Sequence, residues 1–302
     1  MKNFYDREAS CQMAFQELGP CYHLWTPENF GLIITCQDEF KTVMNIIGIC
    51  SKLCPDVTIL TFAVMNNHFH FTICGAENSI QDFFNLVRKC LIKFSDSLGR
   101  ILPWNTFQEK HRIISDLREA RNVIVYNNRN GFLANSGYTP FSYPWGAGLY
   151  YFNPSAVKLA NDEATAMPIR TMRQSVHSHS VDNIKDLSMF EGYASPLSFC
   201  HIGKGEKLFR DASNYFYLLG KSIEGQKEIA KEIGESIFYN DNELYSVISN
   251  MAQKDYGTSN PALIPADGKI KFSKVMRYEY NASTKQICRM LKLDPKLVDS
   301  FC

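Results

Sequence analysis

At 302 residues, 45% hydrophobic and 21% charged, the chain can bury at least one sizeable core, and its composition excludes a disordered or fibrous protein. The net charge of +1 does not single out a nucleic-acid binder, and no run of about 18 apolar residues is present to cross a membrane. No apolar stretch follows Met1 to act as a signal peptide, and the ten cysteines lack the dense spacing of a secreted disulfide scaffold. The expectation is a cytoplasmic protein, nucleoid-associated if prokaryotic, with reduced and mostly buried thiols, Cys50 and Cys54 among them.

After a short polar lead, residues 21–25 read as a first strand, which residues 32–35 continue or accompany in the same sheet. Phe40, Val43, Met44 and Ile47 recur near the 3.6 period and predict a helix over about 38–53. Residues 58–65 are rich in β-branched and aromatic side chains and predict a strand. Asn66-Asn67 then supplies a tight turn, and residues 68–74 the returning strand. A long amphipathic helix is expected from Ser79, as N-cap, to Leu98, with Gly99 as its stop. Phe83, Phe84, Val87, Leu91 and Phe94 form its buried face. A last strand near 107–113 and a helix over 115–129 follow. This β-α-β-β-α-β order, with an added helix, predicts an α+β protein built on a ferredoxin-like, split βαβ antiparallel sheet.

That domain is expected over residues 1–155. A connecting region, 156–225, contains a polar linker at about 161–185, and 226–302 is a mostly helical C-terminal region. Helices are predicted near 204–220, 222–234, 241–253 and 271–301. Charge is uneven: residues 61–155 carry nine basic and six acidic side chains, and 269–302 carry eight against three. Phosphate contacts require such local excess and not a high overall charge.

The sharpest chemical signal is His68-Phe69-His70. Side chains two apart in a strand share a face, so both imidazoles point one way while Phe69 and Phe71 pack on the other. Neutral imidazoles ligate divalent metals, but two ligands alone do not make a site. One solvent-facing histidine and one satisfied polar group is the competing reading of such a pair.

The run Met65-Asn66-Asn67-His68-Phe69-His70 resembles the HUH superfamily of single-tyrosine transposases, and within it the REP-associated tyrosine transposases. Their pattern here is a Met, an Asn-His pair one residue later, a hydrophobic residue and a second His. Downstream, Tyr126 and Asn130 followed by Tyr143-Pro144-Trp145 are similar to that group's Tyr-x-x-x-Asn helix and Tyr-Pro-Trp. Two departures stand out. Gly146-Ala147 replaces a frequent Ser-Ser, and Gly131 replaces the Pro after Asn130. A second register, three residues back, places Val123 at the nucleophile position and Asn127 at the amide position, and implies a dead enzyme. On a helical wheel Leu117, Ala120 and Ile124 form one apolar stripe, with Tyr126 about 180° from Leu117 and Asn130 beside it. Tyr126 is therefore expected outside that core.

The resemblance implies a metal-dependent endonuclease and strand transferase acting on single-stranded, hairpin-forming DNA. His68, His70 and Asn130 would hold Mg²⁺ or Mn²⁺, and Tyr126 would attack the phosphate to give a 5′-phosphotyrosine and a free 3′-hydroxyl. The alternative is a catalytically inactive DNA-binding protein derived from a transposase. Arg88, Lys89 and Lys93 on the long helix are candidate phosphate contacts. So are Lys285, Arg289 and Lys292, in a C-terminal segment where Ser283 and Asp294-Pro295 mark two helix starts resembling a helix-turn-helix. A homodimer fits this scheme. His177-Ser178-His179 repeats the H-x-H spacing without β-propensity, Glu119 shares the Tyr126 side of its helix, and His23, His111 and His201 have no partner that the sequence identifies.

Overall fold

The computed structural model describes residues 4–27, 30–133, 138–139, 141–220, 241–280 and 282–301; the helix expected over 222–234 lies outside the described residues. The chain divides into two compact units, one of residues 1–132 and 138–220, the other of 133–137 and 221–302.

The first unit begins with α1 (Phe4–Glu17), where the sequence reads as a polar lead. Its apolar residues do not gather on one face, and among its described side chains only Cys11 is buried. There follow β1 (Cys21–Trp25), α2 (Gln37–Leu53), β2 (Thr58–Val64), β3 (Phe69–Cys74), α3 (Glu77–Ser97), β4 (Lys110–Ile113) and α4 (Leu117–Leu133). The sheet order is β2-β3-β1-β4 with every neighbouring pair antiparallel. This is the ferredoxin-like arrangement that the element order predicts. Residues 32–35 add no strand: the Ile33 and Ile34 amides both donate to the Asn66 carbonyl at 2.9 Å, which folds this loop against the β2–β3 turn. The turn itself closes where the Met65 amide donates to the His68 carbonyl at 2.9 Å. Helix α3 starts two residues before Ser79, with Ala76 at its cap, and ends before Gly99, whose φ of +67° suits a glycine.

Alternation along β3 divides the residues between two layers. Phe71 meets Phe62 of β2 and Phe83 of α3, so the aromatic face packs beneath α2 and α3. His70, Thr72 and Cys74 face the other way. Cys74 lies opposite Cys21 on that second face, and the two are joined as a disulfide. The expectation of reduced thiols therefore fails for this pair, whose strand register places the Cα atoms 4.0 Å apart; Cys50 and Cys54 remain free.

Helix α4 covers the second face. It is buried almost all round, Val123, Ile124, Val125 and Tyr126 included, so the single apolar stripe of the sequence underestimates its contacts. The additional cover comes from residues 141–220, which cluster with the first unit and are not a linker. They form α5 (Pro154–Asp162), β5 (Thr165–Ala166), α6 (Ile169–Val176), β6 (Ser188–Phe190), β7 (Tyr193–Ala194), α7 (Pro196–Phe199), α8 (Ile202–Glu206) and α9 (Ala212–Leu219). Gly48 of α2 lets β7 and Phe199 approach closely, since a Cβ there would stand 2.9 Å from that of Ala194. The Ala194 amide donates to Asn45 Oδ1 at 2.7 Å, tying the same contact down. The exposed edge strand β4 carries Lys110 and Arg112, charges that discourage pairing with another edge.

The second unit contains α10 (Asp241–Tyr256), α11 (Ala266–Tyr280), α12 (Thr284–Leu291) and α13 (Pro295–Phe301). Ile248, Phe272, Met276, Ile287, Leu291 and Val298 are buried within it. Ser283 caps α12 in a reciprocal capping box with Gln286, and Asp294 accepts from the Lys296 amide at the start of α13. No helix among the described residues is long and apolar enough to cross a membrane.

Candidate active site on the α4 face of the sheet

Strand register builds the site in two cross-strand rows. Trp25 lies opposite His70 of β3 and Lys110 of β4, and His70 lies opposite Ala63 of β2. In the next row His23 lies opposite Thr72 and Arg112, and Thr72 opposite Thr61. Facing residues in neighbouring strands share a side of the sheet, so these rows form one floor, on which α4 rests over His23, His70, Thr72 and Thr61.

The α4 side chains answer them one by one. Arg112 of β4 pairs with Glu119, which also accepts from the Ser115 amide and hydroxyl at 2.7 Å each. Asn127 donates to the Thr72 hydroxyl at 2.9 Å. The Thr61 hydroxyl donates to Asn128 Oδ1, and Asn128 Nδ2 donates to the Tyr215 hydroxyl at 2.9 Å. Buried polar groups satisfied in this way fix the register of the helix over the sheet.

That register brings the sequence-derived residues together around His70. The Tyr126 ring meets the His70 ring edge-to-face, with centroids 5.8 Å apart, and Asn130 Nδ2 lies 3.4 Å from His70 Nε2. The His68 ring stands 4.9 Å from that of His70, nearly perpendicular to it. His68 Nδ1 lies 2.7 Å from Asn67 Oδ1, an orienting contact of the kind that leaves Nε2 for a ligand. Burial, reinforced by nearby His70, holds the His68 imidazole well below the usual histidine range, so it is neutral and able to ligate at pH 7. Asn127, the amide of the alternative register, is committed to Thr72 and fully buried; Asn130 is the amide beside His70.

His70 is fully buried and Tyr126 only 2% exposed, whereas His68 and Asn130 keep part of their surface. Two imidazole nitrogens and one amide make a mixed donor set suited to a divalent ion that leaves positions open for a substrate. A half-turn of the Asn130 amide about its last bond presents its oxygen where Nδ2 now stands. The donor types thus fit the metal that the resemblance implies. Among the described residues, no group of three or more His, Cys, Asp or Glu side chains forms a metal-binding cluster.

The other candidates lie elsewhere. Arg88, Lys89 and Lys93 project from α3, on the far side of the sheet from the histidines. Arg88 donates to the Trp104 carbonyl and Lys93 to that of His177 at 3.2 Å, while Lys89 is exposed. Lys285, Arg289 and Lys292 are exposed in the second unit. His111 pairs with Glu77 at 2.9 Å, and His177 ends α6 in a left-handed conformation. Sequence reasoning named His23 without a partner; its ring lies parallel to that of His70 at 6.0 Å and edge-on to Tyr126 at 6.1 Å. It missed Trp25 and Lys110. Alternation along β1 and β4 places each on a face, but only the register shows that the face is that of His70.

Tyr143-Pro144-Trp145 has a structural role. The Tyr143 hydroxyl donates to the Val64 carbonyl at 2.6 Å, the Val64 amide to the Trp145 carbonyl at 2.8 Å, and Gly146 bridges Ala63. The segment thereby closes the outer edge of β2, and Trp145 stacks on Phe40. Comparison with protein-family models, with curated proteins and with solved structures yields no match.

Proposed function

We propose that this chain cleaves and rejoins single-stranded DNA, with Tyr126 as the nucleophile and His68, His70 and Asn130 as the metal-holding residues. The observation that carries this reading is the convergence of Tyr126, Asn130 and His68 on His70, from two separate elements and in the register of the Tyr-x-x-x-Asn pattern. Bound Mg²⁺ or Mn²⁺ would polarise the scissile phosphate and neutralise charge developing on its oxygens. Helix α4 sets the direction of Tyr126, and the polar contacts to Thr72 and Thr61 keep that helix from sliding. The tyrosine hydroxyl, ordinarily titrating near pH 10, must lose its proton as its oxygen bonds to phosphorus and the leaving 3′-oxygen gains one. A 5′-phosphotyrosine preserves the bond energy, so a second 3′-hydroxyl can reverse the step.

The test is incubation with hairpin-bearing single strands and Mg²⁺ or Mn²⁺, read on denaturing gels. Wild-type protein is expected to give a covalent conjugate that mass spectrometry assigns to Tyr126, and Tyr126→Phe to give none. Attachment to another tyrosine would refute the assignment.

One observation favours a second reading. Tyr126 is almost fully enclosed, and a nucleophile must meet its phosphate. Either the strand uncovers the tyrosine on binding, or the chain binds DNA without cutting it. Strand binding without any conjugate would select the second.

A further inference from the structure

We infer that Trp25 and Lys110 form a landing track for the unpaired strand, leading from the β4 edge of the sheet to His70. The inference rests on the single-strand reading above and adds a binding surface to it. Trp25 and Lys110 occupy the same cross-strand row as His70, with Trp25 in the middle. Adjacent strands stand about 4.8 Å apart, so Lys110 starts roughly 10 Å from His70, between one and two nucleotides along an extended backbone.

The side chains suit that path. Lys110 is exposed on an edge strand, where its ammonium reaches solvent and carries a charge that phosphate seeks. Trp25 is half-buried, and its indole stacks on the His23 ring at 4.8 Å, 23° from parallel. An aromatic platform held rigid from one side gives up little conformational freedom when a base settles on it. Beyond Trp25 the surface continues through the partly exposed His68 and Asn130. A cation, a stacking ring and then polar groups succeed one another from the β4 edge inward. This sequence matches an unpaired strand better than a duplex, whose bases are already stacked on each other.

The full-length protein, a fluorescein-labelled oligothymidylate of ten nucleotides and Mg²⁺ provide the test, read by anisotropy over a range of salt. Trp25→Ala is expected to weaken binding roughly 5- to 150-fold, the span of one lost base–aromatic stack, and Trp25→Phe to recover most of it. Lys110→Gln should reduce the log–log salt slope by roughly 0.7. Because Trp25→Ala opens space beside His23, a measurement on unaltered protein accompanies it. Irradiation of the complex with a 5-iodouracil-substituted strand should crosslink Trp25, as identified by peptide mapping. Unchanged affinity and slope in folded variants, or crosslinks confined to the second unit, would overturn the track. If that happens while the Tyr126 conjugate forms normally, this inference alone fails. If binding depends on Trp25 and no conjugate appears, the cleavage reading alone fails.

Discussion

Asn130 keeps its place beside His70 because the next residue has no side chain. A Cβ on Gly131 would lie 2.2 Å from Tyr143 Cδ1, well inside contact distance. Tyr143 has little freedom to retreat, since it is buried and its hydroxyl is bonded to the Val64 carbonyl. Gly131 is thus explained by local packing: α4 and the Tyr143 strap meet where a side chain would not fit. Gly131→Ala should therefore cost about 1–3 kcal/mol of stability as an overpacked contact, despite alanine's better helix propensity. The displaced α4 end should carry Asn130 away from His70. Urea unfolding and the yield of Tyr126 conjugate measure the two effects; a variant as stable and reactive as wild type would show that Tyr143 yields freely.

At the scale of elements, the turn bearing His68 is supported from outside the sheet. The loop at residues 33–35 binds the Asn66 carbonyl, and Arg100 secures that loop by donating to the Ile33 carbonyl at 3.0 Å and to the Thr35 hydroxyl at 2.8 Å. Glu39 completes the bracket, accepting from Arg100 at 2.8 Å and from the Thr35 amide at 2.7 Å. The Arg100 guanidinium, followed by Thr35 against the opposing effect of burial, holds the Glu39 carboxyl below its ordinary value of 4.5. A carboxylate with a lowered folded pKa stabilises fully above its unfolded value, and that contribution fades as pH falls through the lower folded one. Glu39→Gln should accordingly cost about 1–2 kcal/mol at neutral pH, and the difference from wild type should shrink in acid below about pH 4.5. A mutant deficit that stays constant from pH 7 to pH 3 would contradict the ion-pair account. None of this bracket is legible in the sequence, where residues 32–35 look like a strand because Leu, Ile, Ile and Thr favour one. Periodic elements fared better: α2, β2, β3 and α3 each repeat their apolar residues regularly enough to betray type and inward face. Helix α1 escaped because it buries little, and the close seating of α4 on the sheet escaped because polar contacts such as Asn127–Thr72 leave no hydrophobic signature.

Over the whole molecule, the His-x-His and Tyr-x-x-x-Asn patterns lie in the first unit, and a separate surface in the second has its own charge. Lys285 and Arg289, four apart on α12, project away from buried Ile287, Met290 and Leu291, and Lys292 follows at the C-cap. A three-residue turn joins α12 to α13, with Lys292 in the left-handed region at φ +53° and the Leu293 amide returning to the Cys288 carbonyl at 3.2 Å. Arg277 is otherwise engaged: it donates to the Ala282 carbonyl at 3.0 Å and to the Thr284 hydroxyl at 2.6 Å, and lies 3.8 Å from Asp299. Two short helices, a tight turn and an outward basic stripe are the parts from which helix-turn-helix modules contact duplex backbones. Changing Lys285, Arg289 and Lys292 together to Gln should leave the melting temperature nearly unaltered, because all three side chains are exposed. Affinity for the paired stem of a hairpin should fall, and the log–log salt slope on duplex should drop by up to about 0.9 for each lost phosphate contact. Binding of a short unpaired strand should hardly change. Replacing Lys158, Lys185 and Lys204, exposed on the first unit, removes the same charge elsewhere. If both triple variants lose duplex affinity equally, net charge and not the α12 stripe governs stem binding, and the second unit has no specific hold on DNA.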